Sequence, residues 1–140
     1  MSKNEVIKLL KKRDRRLNLE FESSHPLGYV AEFLPELFKD AKFIITYREP
    51  LAWIRSRINY HKGKDPEVWR SYRNFIWQKH FDGFPEEEAI LEKSGLFSLD
   101  AYLNQYIEQY ELLLKHLPAE RTLLLRTEDI DSSTATLEKF

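Results

Sequence analysis

The sequence predicts an α/β fold in which helices and a parallel sheet form three layers. Two short runs, Phe43–Tyr47 and Thr122–Leu125, carry apolar side chains in both registers, as strands covered on both faces do. Stretches of helical period lie between and around them, and strands that alternate with helices at such spacing pair in parallel through crossovers.

The composition fits that class. A chain of 140 residues is of single-domain size, and with 42% hydrophobic and 32% charged residues it is expected to bury a packed core as one domain. A formal net charge of −1 and a pI near 6.4 argue against a general nucleic-acid binder or a protein attracted to anionic membranes, so any anion site must be local. The absence of cysteine excludes disulfides and thiolate metal sites. No apolar run approaches the roughly 18 residues that cross a bilayer, and Met1 to Glu5 lacks the apolar stretch of a signal peptide, so a cytoplasmic protein is expected.

Taken in order, Ser2 and Glu5 have capping-box spacing, and Val6, Leu9 and Leu10 recur at helical period. The cations Lys11, Lys12, Arg13, Arg15 and Arg16 follow, where the helix dipole favours them, and read as a solvated helix end. Leu17, Leu19 and Phe21 alternate with Asn18 and Glu20, which predicts a short strand that stops in Glu22-Ser23-Ser24-His25-Pro26. Leu27 to Phe38 is apolar but contains Pro35, so two short helical pieces are expected rather than one helix.

Phe43–Tyr47 is the expected central strand, ended by Arg48-Glu49-Pro50. Pro50 suits the first position of a helix with Leu51, Ile54 and Ile58 on one side. Asp65-Pro66 is a plausible next helix start, with Val68, Trp69, Tyr72, Phe75 and Ile76 as its buried stripe. Glu86 to Lys93 predicts a short helix stopped by Gly95. Ser98 caps a longer helix with Tyr102, Leu103, Tyr106, Ile107, Tyr110 and Leu113 at helical spacing, ended near Pro118. The last stretch, Ser132 to Phe140, begins like a capped helix and runs out after about two turns, and three candidate strands are fewer than the usual four to six, so the domain is expected to be incomplete at both ends.

In open α/β sheets ligands bind beyond the carboxyl ends of the strands. Three polar clusters are expected there: Ser23-Ser24-His25, Arg48-Glu49 and Arg126-Thr127-Glu128-Asp129. The planar fork of Arg48 suits a phosphate, though an arginine at a strand end is often a structural ion-pair partner. At about 100° per residue, Ser56 points roughly 140° from Leu51, off the expected core stripe, where its hydroxyl is either plain surface or a second donor to an anion held by Arg48. Ala52 on the same side leaves room for approach. His61, His80 and His116 show no metal-ligand spacing, and no metal is assigned. Trp53, Trp69 and Trp77 read as core or rim packing, and Glu128 and Asp129 as structural, holding Arg126 or a loop amide.

Residues 41–50, Ala-Lys-Phe-Ile-Ile-Thr-Tyr-Arg-Glu-Pro, running on to Ser56, resemble the element of the sulfotransferases that use 3′-phosphoadenosine 5′-phosphosulfate (PAPS), a P-loop-related α/β family. Its order is an apolar strand, Arg, an acidic residue or Asn, Pro, and a Ser eight positions after the Arg. Further on, Ser98-Leu99 with Tyr102, then Leu117 to Arg121, then Leu123-Leu124-Leu125-Arg126-Thr127-Glu128-Asp129-Ile130 are similar to the family's late helix, connector and strand ending in Glu-Asp-aliphatic. The resemblance spans roughly residues 20 to 130. It divides the single domain into a strand–turn–helix at 42–60, a helical insertion at about 62–97 and a late helix and strand at 98–130. It implies that Arg48 and Ser56 hold the 3′-phosphate of PAPS as co-substrate. It also implies that His25, which precedes Arg48 by 23 residues, is the catalytic base on the acceptor hydroxyl, a role imidazole suits near neutral pH. Other branches of the family use a glutamate there, and a histidine before Pro26 also fits a simple turn.

The chain departs from the family in three ways. Gly28, Gly63, Gly83 and Gly95 stand in contexts unlike the glycine-bearing 5′-phosphosulfate loop, which would fall before residue 1. The basic, Gly-rich segment of many members would fall after residue 140. Thr127 stands where many have Tyr, which leaves an adenine contact there open. The expected function is therefore sulfuryl transfer from PAPS to an acceptor hydroxyl or amine by a partial sulfotransferase domain. The alternatives are an inactive fragment that binds a nucleotide or a partner, and a relative of the P-loop small-molecule kinases. Whether the acceptor is a small molecule or a glycan is not legible in the sequence.

Overall fold

A computed structural model of the chain describes residues 2–62 and 66–140. The protein is mixed α/β, mostly helical, with one two-stranded parallel sheet among the described residues. The chain divides into two compact units, residues 1–46 with 109–140 and residues 47–108. No helix among the described residues is long and apolar enough to cross a membrane.

The first unit opens with α1 (Lys3–Leu17). Its capping box is complete: the Ser2 hydroxyl accepts from the Glu5 amide at 3.3 Å, and the Glu5 carboxylate accepts from the Ser2 amide at 2.6 Å. Such a cap contributes on the order of 1 kcal/mol. The strand expected at Leu17 to Phe21 does not form. The helix runs through Leu17 and ends on Asn18 in the left-handed region (φ 45°), and Leu17, Leu19 and Phe21 are all exposed. Alternation had no sheet partner to act on, while Asn tolerates the left-handed conformation that closes a helix. Residues 27–38 do form two pieces, a 3₁₀ segment (His25–Phe33) and α2 (Leu34–Leu37), with Pro35 in the first turn of the second, where its missing N–H costs nothing.

β1 (Phe43–Tyr47) pairs with β2 (Thr122–Arg126). Ile45 is buried with Ala31 and Leu117, and Phe43, Tyr110 and Leu113 pack against them. The opposite sheet face is open: Ile44 is 41% and Leu124 53% exposed, so the expected cover on both faces is present on one. Arg121 locks the chain entering β1. Its guanidinium donates to the carbonyls of Pro35 (3.2 Å), Phe38 (3.1 Å), Lys39 (2.6 Å) and Ala41 (3.1 Å) and lies over the Phe43 ring. The several N–H donors of one rigid fork let a single side chain hold carbonyls on both sides of the turn after α2.

The second unit contains α3 (Pro50–His61), α4 (Pro66–Trp77) and α5 (Ala89–Lys93), together with the first part of α6 (Leu99–His116). In α3 the stripe is narrower than expected: Ile54 is buried and Ile58 half-buried, but Leu51 is 74% exposed. In α4, Ile76 and Trp77 are buried and Tyr72 is half-buried, whereas Phe75 is 64% exposed. Asp65 and the side chains of Val68 and Trp69 lie outside the described residues. Trp77 packs on His61 (4.9 Å between ring centres), Tyr102 (5.6 Å) and Phe97 (6.0 Å), and Phe81 joins Phe97 and Phe84. Each aromatic buried this fully stabilises by about 1.5–3 kcal/mol.

α5 stops as expected. Gly95 takes φ +65°, its amide donates to the Glu92 carbonyl at 2.9 Å, and the Leu96 amide donates to the Leu91 carbonyl at 3.0 Å. This is a Schellman closure, which needs a residue that enters the left-handed region freely. Ser98 then caps α6 through its hydroxyl, which accepts from the Ala101 amide at 3.3 Å. α6 buries Ala101, Tyr102 and Gln105, and Ile107 is exposed. α7 (Thr134–Lys139) ends the described chain in the first unit.

Candidate functional site

Arg48 follows β1 directly, and Glu49 caps α3. The Glu49 carboxylate accepts the amides of Leu51 at 3.1 Å and Ala52 at 2.8 Å, and the Trp53 amide donates to the Glu49 carbonyl at 2.9 Å. An acidic cap of this kind completes the first turn and complements the positive end of the helix. It also commits those amides. An anion at this turn would therefore be held by side chains and not by the helix N-terminus. Arg48 is half-buried, and Ser56 is exposed on α3 eight positions later, flanked by Arg55 and Arg57.

The turn is braced from α6. The Tyr106 hydroxyl donates to the Arg48 carbonyl at 2.7 Å. The Tyr106 ring meets Trp53 edge-on at 5.3 Å, and the Arg57 guanidinium lies 5.2 Å from the centre of the Trp53 ring. Burial first, and the nearby Glu49 and Tyr47 after it, push the Tyr106 phenol above its ordinary pKa, so it stays a donor. In the first unit the Tyr110 hydroxyl donates to the Thr46 carbonyl at 3.0 Å. Sequence reasoning counted Tyr106 and Tyr110 among the apolar stripe and missed their hydroxyls. A phenol every fourth residue on a helix was the available signal, since a covered tyrosine needs a partner for its O–H.

His25 lies in the first unit and opens the 3₁₀ segment. Because the preceding strand is not formed, Ser23-Ser24-His25 is not at a strand end. His25 is half-buried, edge-on to Tyr29 at 5.8 Å, and its Nε2 is 2.9 Å from the Gln109 amide oxygen. A carbonyl oxygen only accepts, so in this contact the ring nitrogen donates.

No protein-family model, curated protein or solved structure matches this chain.

Several other polar groups pair with one another. Glu128 holds Arg126 at 3.3 Å, and the Asp129 carbonyl accepts the hydroxyls of Ser132 (3.0 Å) and Ser133 (2.6 Å). His80 contacts Glu108 at 3.2 Å, and His61 contacts the Tyr102 hydroxyl at 3.3 Å. Among the described residues no group of three His, Asp or Glu converges as a metal site. Trp77 is core, and Trp53 packs edge-on against Tyr106.

Proposed function

We propose that this chain is a domain of the PAPS sulfotransferase type, with the three-layer P-loop-related fold, whose Arg48 and Ser56 hold the 3′-phosphate of the sulfuryl donor. One observation carries the reading. Arg48 stands at the carboxyl end of a parallel strand, and Ser56 is exposed on the helix that starts immediately after it. A guanidinium in that place offers two parallel N–H donors to a phosphate, and the hydroxyl offers a third. The Tyr106 bond fixes the Arg48 backbone, so less motion is lost on binding.

In the transfer, the acceptor oxygen or nitrogen attacks the sulfur and the sulfur–oxygen bond to the 5′-phosphate breaks. His25 takes the acceptor's proton, and adenosine 3′,5′-bisphosphate leaves. The charge that develops at the bridge calls for cations there, a role distinct from that of Arg48 and Ser56 at the 3′-phosphate.

A second reading, nucleotide binding without turnover, is favoured by His25, whose Nε2 is engaged by Gln109 and which no strand presents.

Calorimetric titration tests the donor site. Adenosine 3′,5′-bisphosphate is expected to bind at least about tenfold more tightly than AMP, a difference of about 1.4 kcal/mol. Arg48→Ala removes the difference and Ser56→Ala reduces it. Equal affinities in the unaltered chain overturn the assignment. Sulfuryl transfer from PAPS that His25→Gln abolishes while binding persists would separate the first reading from the second.

A further inference from the structure

Arg73 on α4 is only 8% exposed, yet no carboxylate among the described residues meets it. One Nη donates to the Gly95 carbonyl, and the guanidinium lies 5.3 Å from the centre of the Phe97 ring. Its Nε–H is covered and unpaired. A guanidinium does not lose its proton inside a protein, and a buried charge without a counter-ion is strongly disfavoured. Arg73 also lines a cavity of about 190 Å³ whose other walls are Arg70, Asn74, Gly95, Leu96 and Phe97. Those walls carry two cations and an amide but no acid; Glu67, which pairs with Arg70, does not line the cavity.

We propose that this cavity binds a tetrahedral oxyanion, a sulfate or phosphate group, with Arg73 as its buried anchor and Arg70 and Asn74 as donors at the mouth. The volume admits a small anion or the anionic end of a larger molecule, being below the roughly 300 Å³ at which drug-sized ligand pockets begin. Donors on three side chains suit a group with three or four oxygens better than a carboxylate with two. Leu96 and Phe97 supply an apolar wall against which an organic ester could rest. The site shares no residue with the Arg48 and Ser56 pair and does not rest on the nucleotide reading.

The test is an amide and arginine-Nε ¹⁵N–¹H titration of the whole chain with sodium sulfate, sodium phosphate, phenyl phosphate and sodium acetate, at ionic strength held constant with chloride. Sulfate and phosphate are expected to move the Gly95, Leu96, Phe97 and Arg73 Nε–H signals to saturation. Arg70→Ala, an exposed change that leaves the core intact, is expected to weaken that binding about tenfold, and Arg73→Gln to abolish it where the variant folds. Tighter binding of phenyl phosphate than of inorganic phosphate would identify an ester as the occupant, and equal binding the free ion. Non-saturating shifts, shifts matched by acetate, or a titration unchanged in Arg70→Ala would overturn the proposal.

Discussion

The hydroxyl of Tyr106 donates a 2.7 Å hydrogen bond to the carbonyl oxygen of Arg48, so the last turn of backbone before α3 is held by a helix distant in sequence. Tyr106→Phe removes the donor and keeps the ring on Trp53. The expected loss is about 1 kcal/mol, the ordinary net worth of one such bond. Urea unfolding should show a lower midpoint at unchanged slope. An unchanged midpoint would mean that the bond adds nothing to stability.

Acid should unfold the protein in part through Glu108. Burial works against its charge, but hydrogen bonds from Lys79 (2.6 Å) and His80 (3.2 Å) outweigh that, and its pKa lies below the ordinary 4.5. The unfolded chain therefore takes up this proton more readily than the folded one. The stability that Glu108 contributes is present above pH 4.5 and is lost as pH falls through the lower folded value. In Glu108→Gln the fall of the urea midpoint below pH 4.5 should be shallower than in the unaltered chain. Parallel acid limbs would exclude Glu108 as a source.

Two glycines should respond in opposite ways to alanine. At Gly95 a Cβ would meet nothing within 4 Å, but φ is +65°, so Gly95→Ala costs about 1 kcal/mol in backbone strain alone. At Gly28 the nearest atoms to a Cβ, Gln109 Cγ and Leu113 Cδ2, lie at 3.8 and 3.9 Å, ordinary contact distances. Gly28→Ala is expected to be neutral or to stabilise by up to about 1 kcal/mol by restricting the unfolded chain. Scanning calorimetry of both variants reads the contrast directly, and equal losses would contradict it.

Features set by neighbouring residues were legible in the sequence. The Ser2 and Glu5 box, the break at Pro35, the helix start at Pro50, the stop at Gly95 and the cap at Ser98 all depend on a residue's own dihedral preference or on a partner within a turn. Features set by distant packing were not. Leu17, Leu19 and Phe21 alternate like a strand, but a strand exists only when another pairs with it. Leu51 and Phe75 have the spacing of core residues and stay exposed, because periodicity marks a face and not how far its cover extends. At the candidate site the order of Arg48, Pro50 and Ser56 could be read along the chain, whereas the brace from Tyr106 and the engagement of His25 by Gln109 join residues far apart in sequence.

The first unit is assembled from two stretches of chain with the whole of the second unit between them. During synthesis β1 leaves the ribosome long before β2 exists, while the residues of the second unit emerge in one piece. Closing so long an intervening segment makes the pairing a late step, since its entropy must be met before any ladder bond forms. Until then the nascent chain presents Phe43, Ile44 and Ile45 on a strand with both edges open. That interval is when chaperone capture, or misassembly with a neighbouring nascent chain, would have its opportunity.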